Sequence, residues 1–205
     1  MERAQGRVRA AAGDVIPPRD PADLDEALRA ASRGDEAGFV ALYRDLQPRL
    51  LRYATALIGA EAEDVTAETW LQVARDLRGF EGDLDGFRGW VSTICRNRAM
   101  DWARTRSRRP ADPTETHVLA EHPDAADTHD EVVEGMSTRW AMAQILALPQ
   151  TEAEAVLLRA VVGLDAPTAA AVLGKRPGAV RVAAHRGLKK LAKAINDDQR
   201  RPPDG

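Results

Sequence analysis

Between positions 36 and 59 the apolar residues Phe39, Leu42, Tyr43, Leu46, Leu50, Leu51, Tyr53 and Leu57 recur mostly at spacings of three and four. That period fits one face of an α-helix and cannot be laid on a strand, whose faces alternate every two residues. The rhythm returns along most of the chain, and no β-branched run with period two spans more than a few residues. Composition agrees: alanine, leucine and arginine are plentiful and aromatics make up only 4%, a mixture that loses little on entering helices. The chain is expected to be all-α. Its 205 residues, 44% of them apolar, can bury the core of one domain or of two small ones.

Residues 1–20 show no periodicity and read as a disordered lead-in. A short helix capped by Asp23 is expected next, with Leu24, Ala27, Leu28 and Ala31 inward and Glu26 three residues after the cap. The long helix 36–59 follows, with a bend expected near Pro48. A third helix over 60–77 turns Val65, Thr69 or Trp70, Val73 and Leu77 inward, leaving Glu61, Glu63, Asp64, Glu68 and Gln72 as an acidic outer face. The glycine-bearing stretch 78–87 reads as a loop. A fourth helix from Phe87 to Arg106, stopped by Pro110, has the apolar stripe Val91, Ile94, Cys95, Ala99 and Trp102.

Residues 110–135 contain no Lys or Arg, eight acidic residues and three prolines, which reads as a flexible acidic linker. It divides a first helical domain, 21–109, from a second, 136–195, with a disordered tail at 196–205. In the second, Trp140, Ile145 and Leu148 suit a short helix ending at Pro149, and Thr151 with Glu154 has capping-box spacing.

Charge is unevenly placed. Residues 96–109 sum to +5 and residues 175–201 to +7, so the rest of the chain carries −15 to give the net −3. Two basic islands in an acidic chain point to two separate contacts with a polyanion. The first bears Arg96, Asn97, Arg98, Asp101 and Arg104, next to the aromatics Phe80 and Trp90. Those two aromatics could stack on bases, although a core role is the more ordinary fate of such residues. The second island carries a helix-turn-helix pattern: Ala170 where two helices cross, Gly174 at the turn, and Val180 reaching back from the second helix. That helix opens on Pro177 and exposes Arg181, His185, Arg186 and Lys189, with Lys175 and Arg176 just before it. Such a helix enters the major groove N-terminus first, with flanking cations on phosphates.

The order of these motifs resembles the bacterial extracytoplasmic-function RNA polymerase sigma factors. AEDVTAETW (62–70) is similar to the family's acidic helix, and FRGWVSTICRNRAMDWARTRSRR (87–109) to its aromatic-basic helix. Leu148-Pro149 followed by GAVRVAAHRGLKKL (178–191) resembles its second domain. Two departures are the absence of a hydroxyl–Glu pair in Leu164–Ala169 and an Ala183 where a basic residue is common. The resemblance implies that Asp64, Glu68 and Trp70 dock on the clamp of the polymerase largest subunit. It implies that loop 79–86 captures a base flipped from the −10 element, with Phe80, Trp90, Arg96, Asn97, Arg98, Asp101 and Arg104 around the melted strands. Lys175, Arg176, Arg181, His185, Arg186 and Lys189 would read the −35 duplex, and the acidic linker would thread through the polymerase. Core RNA polymerase, promoter DNA and an anti-sigma factor are the implied partners.

Other classes find little support. There is no nucleophile–base–oxyanion grouping and no phosphate-binding glycine motif, so no enzymatic activity and no cofactor are expected. His117, His122 and His129 lie in the linker without the fixed frame of a metal site. One cysteine, Cys95, allows no intramolecular disulfide and fits a reducing cytoplasm; it reads as a small core residue. No apolar run reaches membrane-spanning length and the N-terminus lacks a signal-peptide core, so no membrane insertion is expected. The remaining alternative is a stand-alone helix-turn-helix regulator, which would have no use for the arginine-rich island at 78–109.

Overall fold

Helix α2 (Glu36–Ile58) is the axis around which the N-terminal half assembles. The computed structural model describes residues 21–107 and 140–199, and no strand occurs among them. Asp35 caps α2, its carboxylate accepting the Gly38 amide at 2.7 Å, which satisfies one of the four orphan donors of a helix start. Leu42, Leu46, Leu50 and Tyr53 are buried, while Tyr43 stays exposed. The helix runs through Pro48 unbroken. Proline removes one backbone donor there, but the buried Leu46 and Leu50 on either side anchor both segments in one core.

Helix α1 (Pro21–Ser32) packs on α2 through Leu24, Ala27, Leu28 and Ala31. It starts at Pro21, so Asp23 sits in the first turn and is not its cap; proline's fixed φ suits that opening position. Helix α3 (Ala62–Asp76) is flanked by single 3-10 turns at Gly59–Glu61 and Leu77–Gly79, and buries Val65, Thr69, Trp70, Val73 and Leu77. Helix α4 (Leu84–Ser107) begins three residues before Phe87. The Asp83 carboxylate accepts the Gly86 amide at 2.8 Å, an N-cap arrangement that shortens the expected loop 78–87 to residues 80–83.

In the C-terminal half, α5 covers 140–146 and α6 is Gln150–Val156. Pro149, not Thr151, occupies the N-cap, its carbonyl accepting the amides of Glu152 and Ala153. Thr151 therefore lies inside the first turn, and Glu154 is buried instead of closing a capping box. Helix α6 widens into π-helical turns over Leu157–Val162. Then come α7 (Ala166–Leu173) and α8 (Pro177–Gln199). No glycine or proline interrupts the chain between Ala194 and Gln199, so the first four residues of the expected tail 196–205 are helical. The lead-in 1–20, the linker 110–135 with its three histidines, Met136, Arg108 and Arg109 lie outside the described residues.

The two halves pack on each other, α4 against α7 and α2 against Leu157–Val162, and their buried apolar residues form one contiguous cluster. Gly89 of α4 makes the crossing possible: a Cβ there would fall 2.3 Å from Thr168 Cγ2 of α7.

Candidate nucleic-acid interface

The α7–α8 pair has helix-turn-helix geometry. Asp165 caps α7 by accepting the Thr168 amide at 2.7 Å. Hydrogen bonds from the hydroxyl and then the amide of Thr168 hold the Asp165 carboxyl below the usual carboxylate range. Gly174 ends α7 at φ 61°, a left-handed conformation that glycine adopts without strain. The Lys175 amide closes the turn onto the Ala170 carbonyl at 2.9 Å. Ala170 and Val180 are buried where the helices meet. Val180, Ala183, Ala184 and Gly187 form the inner face of α8, and a Cβ on Gly187 would come 2.7 Å from Val156 Cγ2. The opposite face is left to Arg181, His185, Arg186 and Lys189, with Lys175 and Arg176 at its entrance, all exposed. None of these six has an ion-pair partner among the described residues, whereas Lys190 on the flank pairs with Glu152 at 2.8 Å.

The arginines of α4 are arranged differently. Arg96 reaches into the joint between the halves, its Nη2 3.3 Å from Glu154 Oε2. The Glu154 side chain is 8% exposed and that of Arg96 23%. Gln150 Nε2 also donates to Glu154, at 3.2 Å, while the Arg96 Nε has no hydrogen-bond partner among the described residues. Tyr53 lies beside this pair, and burial pushes its hydroxyl far above the ordinary range. Arg98 donates to Glu68 at 2.6 Å and to Gln72 at 2.9 Å, tying α4 to α3. Arg104 pairs with Asp101 at 2.8 Å; Arg106 pairs with Glu61 at 3.1 Å and lies 5.2 Å over the Trp102 ring. Asn97 is exposed and has no side-chain hydrogen bond among the described residues.

Asp64 and Glu68 stand on the exposed face of α3. Trp70 does not join them. It is 6% exposed, its indole donating to Gln47 at 2.7 Å, with Phe39 and Tyr43 packed around the ring. Phe80 and Trp90 stack on one another, centroids 5.2 Å apart and planes 25° from parallel, both half-buried. With Arg75, Asp76, Gly79 and Glu81 they line an open depression of about 510 Å³ at the short 80–83 loop. Cys95 is buried, and burial pushes its thiol up to about 12, far from the thiolate that redox or metal chemistry needs.

Comparison with known proteins separates the two remaining readings. Sigma-70 region 2 matches residues 42–109 and Sigma-70, region 4 matches residues 138–191. The ECF RNA polymerase sigma factor BldN of Streptomyces coelicolor is 30% identical over 183 residues, covering 88% of this chain and 69% of its own. The chain belongs to the ECF RNA polymerase sigma factors. The ECF RNA polymerase sigma factor SigD of Mycobacterium bovis is 31% identical over 179 residues, covering 84% of each chain. Two solved structures share the fold of this sigma factor. CnrH in complex with the cytosolic domain of CnrY has a TM-score of 0.58 and 22% identity, over 86% of this chain and 99% of that one. The sigma factor RpoE in complex with the anti-sigma factor NepR, from Bartonella quintana, has a TM-score of 0.59 and 22% identity, over 75% and 94%. As an alternative sigma factor the protein is a DNA-binding subunit for transcription initiation, not a stand-alone regulator.

Sequence reasoning missed the partners that hold these elements. Asp45 accepts Arg88 at 2.8 Å with both side chains largely buried, fixing α4 to α2. Glu154 is 58 positions from Arg96, and no local signal joins them. Among the described residues no cluster of three or more His, Cys, Asp or Glu could hold a metal ion, and no helix is long and apolar enough to cross a membrane.

Proposed function

We propose that this sigma factor divides its work between three surfaces, acting in the cytoplasm as a non-catalytic specificity subunit. The exposed acidic face of α3, with Asp64 and Glu68, docks on core RNA polymerase. The depression beside Phe80 and Trp90 takes an unstacked base of the −10 element, with Asn97 and the α4 arginines on the phosphates. The α7–α8 unit reads the −35 duplex. Melting costs a few kcal/mol per base step, and stacking on aromatic groups returns roughly 1–3 kcal/mol per base. An anti-sigma factor is the expected inhibitor.

The observation that carries this reading is the row of cations on α8 that form no ion pair among the described residues, beside a helix-turn-helix of sound geometry. Elements named −10 and −35 lie about 25 base pairs apart, or roughly 85 Å of duplex. A packed body of roughly 150 residues is only about 40 Å across. Simultaneous reading of both elements therefore requires the halves to part at the Arg96–Glu154 contact. The test is co-purification of the full chain with core polymerase, followed by promoter-dependent run-off transcription. Asp64→Lys with Glu68→Lys should abolish co-purification; a wild-type chain that does not bind core sinks the reading.

A further inference from the structure

Among the exposed cations of α8 stands an apolar side chain. Val182 is 50% exposed and stands on the face opposite Val180 and Ala184, among Arg181, His185, Arg186 and Lys189. β-Branched residues are indifferent helix formers, and half of this side chain is left in solvent, so folding alone does not account for it. One turn earlier on the same face is Gly178. A Cβ added there would meet nothing within 4 Å, and its φ is not positive. Glycine is among the poorest residues inside a helix, and neither packing nor backbone conformation requires it at this position.

Both features are explained by what the helix is to touch. Resting on the −35 reading above, we propose that Val182 packs on the C5 methyl of a thymine in the −35 element. In the same proposal, the bare Gly178 lets the first turn of α8 sit deep enough in the major groove for that contact. The thymine methyl is the apolar group on the base edges of that groove. A valine placed over cytosine would instead cover the N4 amino group without accepting its hydrogen bond, so the residue discriminates T from C. Backbone brought close to a ligand is a standard use of glycine. Val182 and Gly178 also border a shallow depression with Glu152, Ala179 and Arg186. On the helix face itself the exposed neighbours of Val182 are Arg181, His185, Arg186 and Lys189, which favours a polyanion over an apolar peptide.

The test uses full-length sigma factor with core polymerase and a duplex library randomised across the upstream element. In the selected duplex each thymine is replaced singly by deoxyuridine, which lacks only the methyl. At one −35 position the wild-type holoenzyme should bind about four-fold more weakly, the worth of one methyl taken out of water. Val182→Ala should bind the thymine and uracil duplexes equally. Gly178→Ala should melt at the same or a higher temperature yet bind DNA more weakly and lose the uracil sensitivity, which a purely structural role could not produce. Uracil insensitivity at every −35 thymine overturns the proposal, as does a Val182→Ala holoenzyme that keeps the wild-type preference. So does a variant whose only defect is loss of a protein partner. A library that returns no upstream sequence while run-off transcription persists overturns the −35 reading itself.

Discussion

The two basic helices look alike as sequence and behave differently as structure. Along α4, Arg88, Arg96, Arg98, Arg104 and Arg106 each face a carboxylate of the same chain. Along the exposed face of α8, Arg181, Arg186 and Lys189 form no ion pair among the described residues, Arg181 only lying near enough to Asp165 to help hold its carboxyl ionised. The same formal charge thus describes two states, one neutralised at home and one available to phosphates. Free cations give salt-dependent attraction to DNA from the first encounter. Paired cations become available only after their carboxylates leave, so the DNA contact proposed for α4 would require rearrangement.

The largest expected effect breaks the α8 side of this comparison. Replacing Arg181, Arg186 and Lys189 together by Ala should flatten the plot of log K against log salt by about two to three, close to 0.9 per phosphate contact. Affinity at low salt should fall by at least about a hundred-fold, with the helical circular dichroism unchanged because these side chains are exposed. An unaltered slope would mean that α8 does not track the backbone.

Next in size is the joint between the halves. Glu154→Ala leaves Arg96 in a mostly buried place without its carboxylate. Breaking a fully buried pair costs about 3–5 kcal/mol, and the partial exposure of Arg96 reduces this to about 2 kcal/mol. The closed arrangement should loosen, seen as a larger radius of gyration in small-angle scattering. Replacing both partners, Arg96→Met with Glu154→Leu, should keep the halves closed, because neither charge then requires hydration. Separation in the double variant would show that the pair, not the apolar cluster, holds the joint.

A smaller effect tests the packing at the same joint. Gly89→Ala puts a methyl where Thr168 Cγ2 already stands, an overpacking worth about 1–2 kcal/mol by urea unfolding. Thr168→Ser deletes that methyl and keeps the hydroxyl, so the double variant should recover most of the loss. No recovery would place the strain elsewhere.

What could be read from the sequence was whatever depends on neighbours in the chain. The three-and-four rhythm of Leu42, Leu46, Leu50 and Tyr53 marked a buried face because helical geometry puts those positions together. Ala170, Gly174 and Val180 were legible for the same reason, being bound by one tight turn. Boundaries were less legible. Asp83 and Pro149 moved helix starts, since a cap depends on backbone geometry that several nearby residues could supply. Least legible was the state of each charge. Arg96 and Glu154, or Arg88 and Asp45, meet only after distant helices pack.

The smallest expected effect is the most discriminating. Arg98 and Glu68 are 2.6 Å apart but 31% and 61% exposed, so screening should hold the pair's contribution to folding to less than about 1 kcal/mol. Arg98→Ala should therefore shift the thermal midpoint by no more than about 2–4 °C. Its consequence for function is sharper, because the pair joins the helix assigned to DNA with the helix assigned to polymerase. If Arg98 belongs to opened DNA, its loss should lower permanganate reactivity of the −10 thymines while leaving the pull-down of core polymerase intact. Glu68→Lys should reverse that pattern, since it changes the docking face and leaves the guanidinium free. Equal losses in both assays for both variants would mean that the pair serves to hold α3 on α4, and that the arginines of α4 are neutralised for structure and not held in reserve for DNA.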